Sequence, residues 1–122
     1  QYAMFHHAED FTCFAMALAE VEGFDRKRRQ RFASIDQHFP APSLGTMRAS
    51  HLISTMRVLM SAWDAFHTHY YEPREGKQRR VGGFLLERLQ SFLLFEELER
   101  GEELLEGFLN IVSETDIIEA TV

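Results

Sequence analysis

"LISTMRVLMSAWDAFHTHY", residues 52–70, decides the fold. Leu52, Met56, Leu59, Trp63, Phe66 and Tyr70 recur at steps of 4, 3, 4, 3 and 4, with Ile53 and Met60 alongside, which is the spacing of one helix face. No proline or glycine interrupts the stretch, and the pattern predicts a long core helix over about residues 46–71. Its flanks carry breakers: "PAPSLG" (40–45) before it and "EPREGKQRRVGG" (72–83), read as a loop, after it.

Upstream, Met4, His7, Phe11, Phe14, Leu18 and Val21 step by 3, 4, 3, 4 and 3, so a first helix is expected there, with Gly23 as its stop. A shorter second helix should run from Asp25, as N-cap, to His38, with Phe32, Ile35 and Phe39 on its apolar side. Downstream, apolar positions resume with Phe84, Leu85, Leu89, Phe92 and Phe95 and continue through Leu94, Leu98, Leu105, Phe108 and Val112. Here the stripe moves from one face to another near 92–98, and Gly101 weakens a helix by ~1 kcal/mol relative to alanine, so this region reads as one bent helix or two. No sustained period-two alternation occurs and β-branched residues are few, which argues against a sheet; "SETDIIEATV" (113–122) is the one stretch where a short extended segment fits. The expected architecture is all-α: a small bundle of about four helices in a single domain, 1–122, with the first and third helices as the core pair and a homodimer as the assembly.

Composition agrees with a folded chain. Of 122 residues 45% are hydrophobic and 26% charged, the balance of a globular domain rather than a disordered one. Cys13 is the only cysteine and lies in the apolar "FTCFAMALA", so no intrachain disulfide forms and a reducing compartment is expected. The longest strongly apolar run is "FLLF" (92–95), far short of a membrane span, and nothing resembles a secretory leader; the chain reads as cytoplasmic with no membrane partner. No internal repeat or low-complexity tract is present.

The charges are lopsided. "RKRRQR" (26–31) places five basic residues in six positions of a chain whose net charge is −6. Residues 87–119 hold ten acids against Arg88 and Arg100, whereas residues 1–86 hold eleven bases and nine acids. The basic run fits three arrangements: a solvated or internally compensated helix lying near "EELERGEELLE" (96–106), a protein-binding surface, or a nucleic-acid surface if it meets "KQRR" (77–80) in space.

No convergent catalytic set or cofactor motif emerges. His6 with Asp10, and Asp64 with His67, each lie one helical turn apart and could offer metal ligands, but the chain has no Glu-x-x-His, so the di-iron bundle pattern is not met and no metal or cofactor is assigned. Arg31 and His38, with six residues between them, resemble the Arg-x(4-6)-His spacing of the HEPN ribonucleases, which implies a dimeric helical ribonuclease; a His38 that merely ends its helix is the plain alternative. "REGKQRR" lacks the remaining residues of a phosphate loop.

Aromatic content carries more. Eleven phenylalanines, three tyrosines and one tryptophan are many for a bundle of this size to hide. Phe92, Phe95 and Leu98 on one side of the last segment, with Leu94, Leu105 and Phe108 on another, cannot share one core stripe; either that helix is central and packed on several sides, or one stripe binds a partner. Phe92, Phe95, Leu98, Leu105 and Phe108 are the candidate partner-binding set. The expected function is that of a non-enzymatic protein-binding regulator, with a basic-patch nucleic-acid binder using Arg26 to Arg31, Arg79 and Arg80 as a further alternative to the ribonuclease. In length and helical character the chain is similar to the small bacterial anti-activators that sequester LuxR-type quorum-sensing regulators, a resemblance that implies a transcription factor as the partner.

Overall fold

A computed structural model describes residues 6–35 and 46–101 of the chain. Four α-helices follow one another: α1 (Ala8–Ala17), α2 (Arg26–Ser34), α3 (Ala49–His69) and α4 (Val81–Glu99). Among the described residues there is no strand, and the helices form a small bundle. Short 3₁₀ turns extend α1 over Leu18–Glu20 and precede α4 over Gly76–Arg80.

Local chemistry explains most boundaries. Asp25 caps α2, its carboxylate accepting the Arg28 backbone N–H at 2.8 Å, as an N-cap aspartate should. Helix α2 stops at Ser34, because Ile35 is already extended, so it is shorter than the predicted span to His38, a residue outside the described ones. Gly23, at φ +83°, turns the chain after the 3₁₀ segment, a conformation that costs glycine little. Gly101, at φ +91°, ends α4, its N–H donating to the Leu98 carbonyl at 3.0 Å.

A hub of phenylalanines joins the helices. Phe32 of α2 lies 5.3 and 5.9 Å, centroid to centroid, from Phe11 and Phe14 of α1, and meets Phe92 of α4 edge-on at 5.6 Å. Phe14 in turn meets Phe66 of α3 at 5.7 Å. Each such buried ring contributes roughly 1.5–3 kcal/mol by removal from water, with edge-to-face pairing adding to it.

Helix α4 is as central as the α1–α3 pair, with Val81, Leu85, Leu89 and Phe92 all buried. These step by 4, 4 and 3, and the helix begins inside "EPREGKQRRVGG" (72–83), a stretch whose composition reads as a loop: at Val81, directly before Gly82 and Gly83. The glycine is required by packing. A methyl group on Gly82 would sit 2.5 Å from Trp63 Cζ3, so α3 and α4 touch where only hydrogen fits.

The stripe of α4 does not break at 92–98. Its next position after Phe92 is Glu96, a buried carboxylate, which a search for apolar spacing passes over. In α3 the buried residues are Thr55, Leu59, Ala62, Ala65 and Phe66, not Leu52 and Met56. Small side chains at 55, 62 and 65 let the other helices approach, and the large apolar residues of the first half are displaced to the flank.

Candidate partner-binding face

Two of the five basic residues of α2, Arg28 and Arg31, turn back onto α4. Arg28 grips Glu96 with two nitrogens, Nε at 2.9 Å from Oε2 and Nη2 at 2.6 Å from Oε1. Its guanidinium also lies 4.1 Å over the Phe24 ring and donates to the Gly23 carbonyl. Arg31 pairs with Glu99 at 2.6 Å, in the open, with both side chains exposed. The bidentate pair satisfies a buried carboxylate and so has structural weight, whereas the exposed pair contributes only ~0.2–1 kcal/mol.

These contacts separate the two basic segments. Helix α2 docks on the C-terminal end of α4, while Lys77, Arg79 and Arg80 precede its N-terminus. From Arg80 to Glu96 the helix rises roughly 24 Å at 1.5 Å per residue. The joint basic patch expected of a nucleic-acid surface is therefore not assembled. For the ribonuclease pair, Arg31 is bonded to Glu99 and the helix that carries it ends before His38.

The histidine and carboxylate pairs have other work. Asp10, buried at the start of α1, accepts from Arg74 Nε at 3.2 Å and Nη2 at 3.0 Å, tying α1 to the α3–α4 connection. That bond and the charge of Asp10 raise the Arg74 pKa above its ordinary value, against a smaller opposing effect of burial. His6 stacks on Phe84 at 4.1 Å, and His67 stacks on Tyr71 at 5.0 Å beside Trp63. Among the described residues no three His, Cys, Asp or Glu side chains gather to hold a metal. None of the helices described is long and apolar enough to cross a membrane.

Of the five candidate partner-binding residues, the structure removes Phe92 from any surface: it is 1% exposed, between Phe24 and Phe32. Phe95 and Leu98 are half-buried on α4, and Leu105 and Phe108 lie outside the described residues. The exposed apolar surface is elsewhere. Met60 (66%), Ile53 (51%), Met56 (45%) and Leu52 (44%) form a band along one flank of α3. Leu52, Met56 and Met60 succeed one another at single-turn intervals, and Ile53 lies beside Met56 and Met60.

Helix crossing leaves that flank bare. At one end α4 abuts α3 through Gly82 on Trp63; at the other, Glu97 Oε1 lies 3.7 Å from His51 Nδ1. Trp63 lies on the same side of α3 as Leu52 and Met56, and His51 on the opposite side, so α4 runs antiparallel and passes obliquely across the axis. Contacts of α1 are with the far half of α3, through Phe66 and, at the end of the 3₁₀ turn, Glu20 with His69 at 3.3 Å. The signal was present in the sequence: Ile53 and Met60 widen the apolar arc of α3 beyond what one packed face needs. No family model, curated protein or solved structure matches the chain.

Proposed function

We propose that the chain is a non-enzymatic, cytoplasmic regulator that acts by binding another protein through the apolar flank of α3. The observation that carries this reading is the contiguous exposure of Leu52, Ile53, Met56 and Met60 on a helix that packs through Thr55, Leu59, Ala62, Ala65 and Phe66 instead. Unbranched methionines suit a recognition surface, because they adjust to a partner's shape at little cost, and a band of this kind supplies the apolar anchors of an interface core. Arg57 and Asp64, both exposed, border the band and would set register. The resemblance to anti-activators makes a transcriptional activator the first partner to look for, held by sequestration of the surface it needs to dimerise or to bind DNA.

A tagged pull-down from extract of the native cell, with nuclease and at high salt, tests the reading when run in parallel with Ile53→Asp. Recovery of one stoichiometric protein by the wild type and its loss with the variant supports it. Equal recovery by both, or nuclease-sensitive material alone, overturns it.

A further inference from the structure

We infer that a second copy of this chain seats on the apolar flank of α3, the two α3 helices lying antiparallel about a two-fold axis near Met60. Helix α3 carries two stripes. The inner one, Thr55, Leu59, Ala62 and Phe66, is buried in the bundle. The outer one, Ala49, Ile53, Met56, Met60, Trp63 and His67, steps by 4, 3, 4, 3 and 4, and every member is exposed except the half-buried Trp63. That is the spacing of a helix-pairing seam, in which side chains enter the gaps between those of a second helix. At 1.5 Å per residue it runs for roughly 27 Å, most of the length of α3.

Charge selects the occupant. Apart from its histidines, α3 holds one base and one acid, Arg57 and Asp64. Both are exposed, they lie two turns apart on one edge of the seam, and neither has an ion pair among the described residues. A parallel pair would set Arg57 against Arg57 and Asp64 against Asp64. Reversed about Met60, which lies three residues from one and four from the other, Arg57 of each copy stands beside Asp64 of the other, and the pair forms twice. The seam is thus complementary to itself about Met60, its most exposed apolar side chain at 66%. An unrelated partner requires no such symmetry, whereas a two-fold contact does. One helix flank per copy makes a small interface, so the dimer is weak, with a Kd on the order of 10 µM. The inference rests on the reading of this flank as a recognition surface, and a different protein would take the flank from the second copy.

Sedimentation equilibrium of the whole chain, from about 1 to about 300 µM, tests it. The mass should rise from the 14.2 kDa of the monomer toward twice that value. Met60→Asp, and independently Ile53→Asp, should weaken association about 30-fold or more with helicity unchanged. Arg57→Asp and Asp64→Arg should each weaken it about three- to tenfold, and the two together should restore it to within about twofold of wild type, because the exchange swaps the signs and keeps each pair. A monomer at every concentration overturns the inference, as does a dimer that both Met60→Asp and Ile53→Asp leave intact. A double exchange no better than the single ones overturns the antiparallel arrangement and the inference with it. A monomer that still captures a protein through Ile53 overturns this inference alone, and a dimer with the expected responses but an empty pull-down overturns the partner reading alone.

Discussion

Gly82 and Gly83 are adjacent in the first turn of α4, yet replacing each by alanine should change stability in opposite directions. At Gly83 an added methyl meets nothing within 4 Å, so the substitution only removes glycine's excess freedom in the unfolded chain, a gain of about 0.5–1 kcal/mol. At Gly82 the same methyl would stand 2.5 Å from Trp63 Cζ3 and 2.9 Å from Cη2, distances at which something must move. Trp63 is a rigid ring wedged beside Phe66, His67 and Tyr71, so relief comes from parting α3 and α4. Overpacking of this kind costs ~1–3 kcal/mol, and after subtracting the propensity gain the net loss is up to about 2.5 kcal/mol. Urea titrations followed by far-UV circular dichroism give both values, with the fluorescence of Trp63, the sole tryptophan, reporting the contact directly. If Gly82→Ala is as stabilising as Gly83→Ala, α3 and α4 do not meet at Trp63 and the oblique crossing that bares the α3 flank is wrong.

Other substitutions separate structural from incidental charges. Glu96→Gln should cost about 2 kcal/mol in urea midpoint experiments, below the 3–5 of a fully buried broken pair because Arg28 keeps some access to water. Arg31→Ala, which removes only an exposed pair, should stay within about 0.5 kcal/mol of wild type in the same titration, and a larger loss would mean that the α2–α4 contact depends on it. Asp10→Asn should loosen the α3–α4 connection from α1, seen as faster amide hydrogen exchange in residues 74–80 with little change in α2. Ile53→Asp should leave the unfolding midpoint within about 0.5 kcal/mol, since its side chain is exposed; unfolding of that variant would place Ile53 in the core.

Reading the fold from sequence succeeds where large apolar residues mark the packed face and turn residues mark the ends. Phe14, Leu18 and Val21 are buried where the spacing puts them, Asp25 caps its helix, and no strand appears among the described residues. It fails where burial is not apolar or not large. Glu96 fills a core position because Arg28, distant in sequence, neutralises it, so the stripe of α4 looks displaced at Phe95 and Leu98 when it is continuous through Phe92 and Glu96. In α3, Thr55 and Ala62 are the contact residues, and counting only bulky side chains shifts the packed face toward Leu52 and Met56. The apparent shift of the α4 stripe is what puts Phe92 among the candidate binding residues, whereas its side chain is buried. The start of α4 at Val81 was hidden by two glycines, which usually end helices; here the first permits a close approach.

The fate of the basic run follows the same logic. Sequence shows charge imbalance between the two ends of the chain, but only three-dimensional placement shows that α2 lies against the C-terminal end of α4 and that Lys77, Arg79 and Arg80 sit at its other end. Opposite charges at α2 and α4 therefore close the bundle instead of extending a basic surface.

The proposed function assigns recognition of the partner to the α3 flank and not to the α4 stripe. Its most direct test is titration calorimetry of the captured partner against four forms of the chain: wild type, Met56→Asp, Phe95→Asp and Leu98→Asp, each first shown by circular dichroism to keep its helicity. Loss of a central apolar anchor costs about 2 kcal/mol or more, so Met56→Asp should weaken Kd by roughly 30-fold or more, with the two α4 variants within about threefold of wild type. Unchanged affinity for Met56→Asp together with loss in Phe95→Asp or Leu98→Asp would contradict the claim and return recognition to α4.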